Sequence, residues 1–176
     1  MIPRALDFAV EKSLRYHQRR RAHYDRLHKT VMLGVLLAGS SAIAQFHATI
    51  AGLFVVALSA LDLTFGFSAK ARDHEFLYRR FNELAQKLRS ELEPSDAHRI
   101  EWDNERLRIE ADEPPIYWAL EADCYNEVLY SRGMNRADVL IIGRYRRLFM
   151  NYRAFDKEMF PQAHELGNDR AAPLEA

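Results

Sequence analysis

The residue types that most often carry out catalysis or bind metals are scattered along this chain. His23 and His28 are five residues apart and do not share a helix face, so we interpret them as interfacial side chains. His74-Glu75 has no second histidine at zinc-site spacing, and no glycine-rich phosphate loop occurs. The sequence therefore predicts no metal and no cofactor.

Cys124 is the only cysteine, and it lies on an apolar helical stripe with Leu120 and Val128. We expect a small core residue there and not a nucleophile, because no base or electropositive setting is near in sequence. A lone cysteine suits a reducing cytoplasm. Glu121 and Glu127 are explained as acids on a solvated helix face. Enzymatic activity is thus the function that the sequence supports least.

Charge is balanced over the whole chain of 176 residues, with 25 basic and 25 acidic side chains, so composition predicts no nucleic-acid partner. The distribution is very uneven. The 32 residues from Thr30 to Leu61 contain no Asp, Glu, Lys or Arg, in a chain that is 28% charged. That block argues against an ordinary water-soluble domain and predicts a lipid bilayer as partner.

The basic excess flanks the apolar block. Residues 1–29 carry eight basic and three acidic side chains, and Lys70 and Arg72 follow the block. Because basic residues near span ends stay on the cytoplasmic side, both termini are expected to be cytoplasmic. This topology requires an even number of crossings.

Length decides how many crossings there are. The stretch Val31 to Phe67 has 37 residues, and one crossing takes roughly 20. The polar break Gln45-Phe46-His47 divides it into a short first span, Val31 to Ala44, and a full second span, Ala48 to Phe67. A break at Gly39-Ser40-Ser41 leaves too few residues for a first crossing. We expect a tight hairpin whose first span thins the bilayer.

An alternative is a secretory signal peptide, since Ala42-Ile43-Ala44 resembles a small-residue cleavage site. The long charged segment before it and the second apolar run after it argue against this interpretation.

Small residues and one acid in the block are candidate packing or pore residues. Small side chains that recur along a span let helix backbones approach closely. Asp62 lies about 7 Å inside the cytoplasmic end of the second span, where it has either a partner, water or an interfacial position. The candidates are Gly34, Ala38, Ala42, Gly52 and Asp62.

Both flanks have helical periodicity. An N-terminal helix with Leu6, Val10 and Leu14 on one face is expected to reach the first span with little interruption. The predicted parts are a basic N-terminal helix (1–29), a hairpin (30–69), a cytoplasmic helical domain (70–160) and a flexible tail (161–176). Candidate contacts with lipid headgroups are Arg19, Arg20 and Arg21, and the candidate oligomer seam is Leu77, Phe81, Leu84 and Leu88.

Capping residues delimit the later helices. Ser95 is placed to cap a helix that runs through Leu107, and Gly133 is placed to end the helix that contains Cys124. Asn135 or Asp138 is placed to open a final helix. No segment alternates with period two for long enough to predict a strand, so we expect an all-α membrane protein.

Three helical patterns follow the expected hairpin, and they are Ala71-Arg72-Asp73-His74-Glu75-Phe76-Leu77-Tyr78-Arg79-Arg80-Phe81-Asn82-Glu83-Leu84, Asp112-Glu113-Pro114-Pro115-Ile116-Tyr117 with Leu120, Cys124, Asn126 and Glu127, and Arg146-Arg147-Leu148-Phe149-Met150-Asn151. In the hairpin and these patterns, residues 10–160 resemble the SLATT family of two-transmembrane effectors. The resemblance implies a non-enzymatic effector in the bacterial inner membrane that forms homo-oligomeric pores in antiviral conflict systems.

The resemblance also implies a trigger, expected from a separate nucleotide synthase or sensor protein because no such domain is recognised in this chain. Few polar residues can line a pore, which favours a narrow conduit or bilayer disruption. Three alternatives remain: a membrane anchor for a helical interaction module, a membrane-tethered enzyme and a phage-type lysis pore.

Overall fold

The computed structural model describes residues 4–43, 47–91 and 93–166, and this part of the chain is helical. Three short 3-10 turns accompany the α-helices, and an antiparallel bridge between Leu140 and Gln162 is isolated, so the all-α prediction is confirmed. The six α-helices are α1 (Arg4–Ile43), α2 (Ala48–Phe65), α3 (Phe67–Ser90), α4 (Asp96–Ala111), α5 (Trp118–Ser131) and α6 (Arg144–Leu148).

Helix α1 runs without interruption for 40 residues from the charged N-terminal flank into the apolar block, as predicted. Polar side chains inside its apolar part do not break it. Thr30 donates a hydrogen bond to the carbonyl of Arg26 at 2.9 Å, and Ser40 donates one to Leu36 at 2.9 Å. These hydroxyls are satisfied by the helix backbone itself.

Helix α2 has a residue with left-handed backbone conformation at each end. Of the predicted break at Gln45-Phe46-His47, the structure describes His47, which has φ 49° and directly precedes α2, while α1 is described up to Ile43. Residues 44–46 lie outside the described residues. Gly66, at φ 58°, donates its N–H to the Asp62 carbonyl and ends α2, a conformation that glycine adopts without steric cost.

The chain divides into two compact units, and the division differs from the four expected parts. We call the residues up to His17 and from Leu77 onward the body, and Gln18–Phe76 the hairpin unit. The expected boundary at residue 29 is wrong because the first turns of α1 pack with the body.

The core of the body contains the residues expected to form an oligomer seam. Leu6 and Val10 of α1 meet α3 side chains and Trp102 and Ile109 of α4 in one cluster. The seam interpretation is corrected, because these α3 side chains are 0–3% exposed within a single chain. They are Leu77, Phe81, Leu84 and Leu88.

Helices α4 and α5 are largely as expected. Ser95 caps α4 by accepting the His98 N–H at 3.2 Å, although α4 extends past the expected end at Leu107. Leu120, Cys124 and Val128 of α5 are fully buried, and α5 ends just before Gly133, whose φ is 61°.

The predicted final helix is replaced by an irregular segment. Asn135 caps only a 3-10 turn, and α6 has five residues. The side chain of Asn126 explains the difference, because its amide donates to the Leu140 carbonyl and accepts the Leu140 N–H, both at 2.8 Å. These two bonds occupy backbone groups that a helix would use.

The chain stays packed beyond residue 160, so the expected start of the tail at 161 is wrong. Ala163 is 1% exposed and donates its N–H to the Val139 carbonyl at 2.9 Å. Residues 167–176 lie outside the described residues.

An ion-pair cluster joins the start of α1 to the end of α5. Arg132 pairs with Asp7 at 2.8 Å and hydrogen-bonds Glu11 at 2.9 Å, while Arg15 pairs with Glu11 at 2.7 Å. Burial alone would raise the pKa of Glu11, but the hydrogen bonds and charges of the two arginines lower it.

The buried α3 stripe predicts a large effect of truncation on stability. Leu84→Ala should lower the free energy of unfolding by roughly 2–5 kcal/mol, because it leaves a cavity in the core. Leu107→Ala removes the same atoms from a side chain that is 49% exposed and should change it by less than about 1 kcal/mol. Chemical unfolding in detergent measures both. A changed oligomer size with unchanged stability in Leu84→Ala would restore the seam interpretation.

Candidate functional site

The hairpin unit exposes a large apolar surface. The second half of α1 and nearly all of α2 present aliphatic and aromatic side chains that are more than a third exposed. Contiguous exposed patches of this kind mark an interaction surface in an ordinary protein. The residues are Met32, Leu33, Leu36, Leu37, Ile50, Leu53, Phe54, Val56, Leu61, Leu63 and Phe65.

Together α2 and α3 form the stretch Ala48–Ser90, which contains a segment long and apolar enough to cross a membrane by length and composition. It is the one such helix in the described part of the chain. A buried core helix of a soluble protein can have the same composition, but only 6% of this segment is buried. The exposure favours membrane association.

The least exposed positions of each arm of the hairpin lie along one helix face. On α1 these positions are 31, 34, 35 and 38, and on α2 they are 51, 55, 58 and 62. Both sets have the three- and four-residue spacing of one helix face. Val31 and Ala51 are both 8% exposed, so each arm buries one face.

Gly34 is the point of closest approach between the arms. A Cβ placed on Gly34 would lie 2.9 Å from Cδ1 of Leu58, whereas Gly39 and Gly52 have open space around theirs. Of the small-residue candidates, Gly34 therefore lies in the contact and Ala38 is half-buried on the same face. Gly52 does not contact the other arm at its Cα, and the side chain of Ala42 lies outside the described residues.

Asp62 has a partner, which is one of the alternatives that the sequence left open. Nδ1 of His28 lies 3.1 Å from Oδ1 of Asp62, with the side chains 31% and 20% exposed. Sequence reasoning missed this pairing. His28 lies before the apolar part of α1 and Asp62 lies near the end of α2, so the two are about equally far from the break. Antiparallel packing brings such positions together.

A polar and aromatic layer continues from this pair. The rings of Tyr24 and His74 stack 5.7 Å apart, and the Lys70 ammonium lies 5.7 Å from the centre of the Tyr24 ring. Amphipathic rings of this type are common at the edge of a membrane. Sequence reasoning missed the layer because Tyr24 is more than forty residues from Lys70 and His74.

The arginines expected at lipid headgroups have different surroundings. Arg20 is 1% exposed and donates to the hydroxyl of Tyr24, so the expectation for Arg20 is corrected. The buried guanidinium loses its hydration but gains this hydrogen bond and a cation–π contact with the Tyr24 ring, whose centre lies 4.5 Å from its Cζ atom. Arg21 is half exposed and pairs with Glu75, and Arg19 is half-buried.

His23 is held neutral. It is 7% exposed, and burial together with the charges of Arg20 and Arg26 lowers its pKa from 6.5 to about 4. Sequence reasoning placed His23 at an interface, and the structure buries it instead.

The candidate catalytic residues do not assemble into a site. In residues 4–43, 47–91 and 93–166, no three or more His, Cys, Asp or Glu side chains come together as a metal site. Cys124 is buried. Glu121 pairs with Lys12, and Glu127 lies 3.9 Å from Arg15, so these acids pair within the body and do not face each other.

The body also contains a cavity that the sequence did not predict. Its volume is about 390 Å³, within the range of small-molecule sites. The Lys157 ammonium lies 5.3 Å from the centre of the Trp118 ring, and both residues line the cavity.

The chain matches no protein-family model, no curated protein and no solved structure. The geometry of the hairpin unit therefore carries the functional argument.

The contact at Gly34 predicts a matched pair of effects. Gly34→Val should weaken the hairpin by roughly 1–3 kcal/mol, because the added atoms displace Leu58. Gly52→Val makes the same change in open space and should have a much smaller effect. Unfolding by SDS titration from mild detergent measures both variants. Leu58→Ala should rescue Gly34→Val, and equal losses in the two valine variants would contradict the contact.

The depressed pKa of His23 predicts a loss of stability in acid. The unfolded histidine takes up a proton near pH 6.5 but the folded one only near pH 4, so stability falls as the pH drops between these values. His23→Gln should make the melting temperature less dependent on pH over that range. The same slope in His23→Gln and the parent would refute the assignment.

Proposed function

We propose that this chain is a membrane effector of a bacterial conflict system, which inserts in the inner membrane as a two-span hairpin and permeabilises it when triggered. The observation that carries the proposal is the apolar surface of the hairpin unit, exposed on both arms. Water does not solvate such a surface favourably, whereas a bilayer does.

The lengths of the arms support two spans of unequal size. Helix α2 has 18 residues and is about 27 Å long, close to the thickness of the hydrocarbon core. The apolar part of α1 from Val31 to Ile43 has 13 residues and is about 20 Å long. The short arm would thin the bilayer locally, which weakens its barrier.

Basic residues support the orientation. Arg26 and Lys29 precede the first arm, and Lys70 and Arg72 follow the second, all exposed. The positive-inside rule then places both termini in the cytoplasm.

Association into a homo-oligomer would use the outer faces of the hairpin, because the α3 stripe is part of the core. Gly39 and Gly52 have open space at their Cα atoms, where another helix could approach closely. The polar lining available is small, since the Ser40 hydroxyl is bonded to its own helix. This favours a narrow conduit or bilayer disruption over a wide channel.

The resemblance to the SLATT family supports the biological setting. In that setting the effector is not an enzyme, and a separate nucleotide synthase or sensor protein supplies the trigger. The hairpin contributes the activity and the body receives the signal.

A membrane anchor is the second candidate. The body favours it, because residues 4–17 and 77–166 have a hydrophobic core of their own and can present a folded interaction module. In that case the hairpin only holds the body at the membrane.

Cysteine labelling tests the two-span topology. In a Cys124→Ala background, His47→Cys should react with a membrane-impermeant maleimide added outside the inner membrane. Arg72→Cys should react only after the membrane is lysed, because it lies on the cytoplasmic side. Labelling of both positions from the same side would refute the hairpin topology.

Permeabilisation tests the effector function. Induced expression with the neighbouring genes should depolarise cells, and the purified protein should release dye from liposomes. Replacement of the hairpin by an unrelated two-span anchor should abolish both effects. Activity that survives the replacement would favour the anchor, and no depolarisation or leakage under any trigger would refute the effector.

A further inference from the structure

The segment between Val139 and Phe155 has a net positive charge within a part of the chain that is acidic as a whole. It contains four arginines and no acid, whereas residues 70–176 as a whole carry 17 basic and 21 acidic side chains. The arginines are Arg144, Arg146, Arg147 and Arg153.

Apolar side chains project from the same segment. Tyr145 is 55% exposed, Leu148 is 72% exposed and Tyr152 is 64% exposed. Arg144 and Arg147 are exposed beside them, and within the described residues neither forms an ion pair. The segment is therefore a surface of cations and amphipathic rings.

Internal bonds hold this surface in place. Arg146 points back and donates to the Met159 carbonyl at 2.8 Å, and its guanidinium lies over the Phe160 ring. Arg153 donates to the Tyr145 hydroxyl at 3.3 Å and lies over Phe155. Two arginines thus anchor the segment, and the other two remain available to an anion.

We propose that this surface, which we call the Arg144 surface, binds the anionic headgroups of a phospholipid bilayer. Arginine attracts acidic lipids, tyrosine prefers the boundary between headgroups and hydrocarbon, and an exposed leucine gains by entering it. The inference rests on the proposed membrane insertion, which tethers the body close to lipid and raises its effective concentration there.

Charge argues against a second copy as the occupant, and the exposed leucine argues against nucleic acid. A second copy that presented the same surface would bring two sets of arginines together, which is unfavourable. Single-stranded nucleic acid would suit the arginines and tyrosines but offers no apolar phase for Leu148, the most exposed side chain of the set.

The test uses the full chain in nanodiscs at one copy per disc. Leu148→Cys in a Cys124→Ala background carries an environment-sensitive fluorophore. With phosphatidylglycerol present, we expect its emission to shift to the blue and to be quenched by doxyl-labelled lipid. Phosphatidylcholine alone should give little of either effect, and added salt should weaken both.

Matched charge variants sharpen the test. Removal of Arg144 and Arg147 by Arg→Gln changes should weaken headgroup association roughly fivefold for each arginine. The same changes at Arg89 and Arg108, exposed arginines on α3 and α4, should have no effect.

A label at Phe54→Cys, in the exposed face of α2, separates the two proposals. Quenching at position 54 without quenching at 148 would overturn the Arg144 surface alone, and no quenching at 54 would overturn membrane insertion. A response at 148 only to an added oligonucleotide, or only with two copies per disc, would assign the surface to nucleic acid or to self-association.

Discussion

The exposed apolar surface of the two hairpin arms is the constraint on which the rest of the molecule depends. Leu36, Leu53 and Leu63 are each more than half exposed, and no described residue of the hairpin unit covers them. The proposed insertion in lipid removes the free-energy cost of exposing these side chains to water, but it requires every backbone N–H and C=O in the hydrocarbon to be bonded within the chain. The continuous helix α1, which passes from charged into apolar sequence without a break, meets this requirement.

The proposed lipid environment also determines which interactions can hold the arms together. No hydrophobic effect drives two apolar helices together in hydrocarbon, so close packing and polar contacts must do it. Gly34 supplies the packing by admitting Leu58, and the His28–Asp62 pair supplies the polar contact at the base of the hairpin. Asp62 has a partner in this arrangement, and the stacked rings of Tyr24 and His74 continue the polar layer from there.

Hydrophobic periodicity predicted much of this fold and missed one class of residue. It predicted the helical fold, the interruption at His47 before Ala48 and the buried stripe of α5 that contains Cys124, because each depends on local spacing. It did not find that the buried face of α1 continues from Val10 into polar side chains. Ser13, His17 and Arg20 continue the helical spacing and are buried. Because these side chains are polar, a search for apolar periodicity does not detect them. Periodicity also cannot identify partners that are distant in sequence. For this reason Leu84 was predicted at an oligomer seam, and the hydrogen bonds from Asn126 to Leu140 were not predicted.

The polar residues just before the apolar part of α1 oppose a shift of this helix into the membrane. The proposed short arm would therefore thin the bilayer instead of moving deeper into it. An arm about 20 Å long would fill the hydrocarbon better if α1 moved inward by one or two turns. That movement would carry His28 and Lys29 toward the hydrocarbon, where the cost of a charged side chain rises toward the value of about 2.5–3.5 kcal/mol that insertion scales give for the centre. It would also separate His28 from Asp62, because α2 is already close to the required length. Local thinning costs fractions of a kcal/mol per ångström, so over the roughly 10 Å by which this arm falls short of the hydrocarbon core its cost is comparable with that of burying one charge. The loss of the His28–Asp62 contact on sliding then favours thinning. If the hairpin inserts as proposed, its unequal arms therefore keep the surrounding bilayer thin.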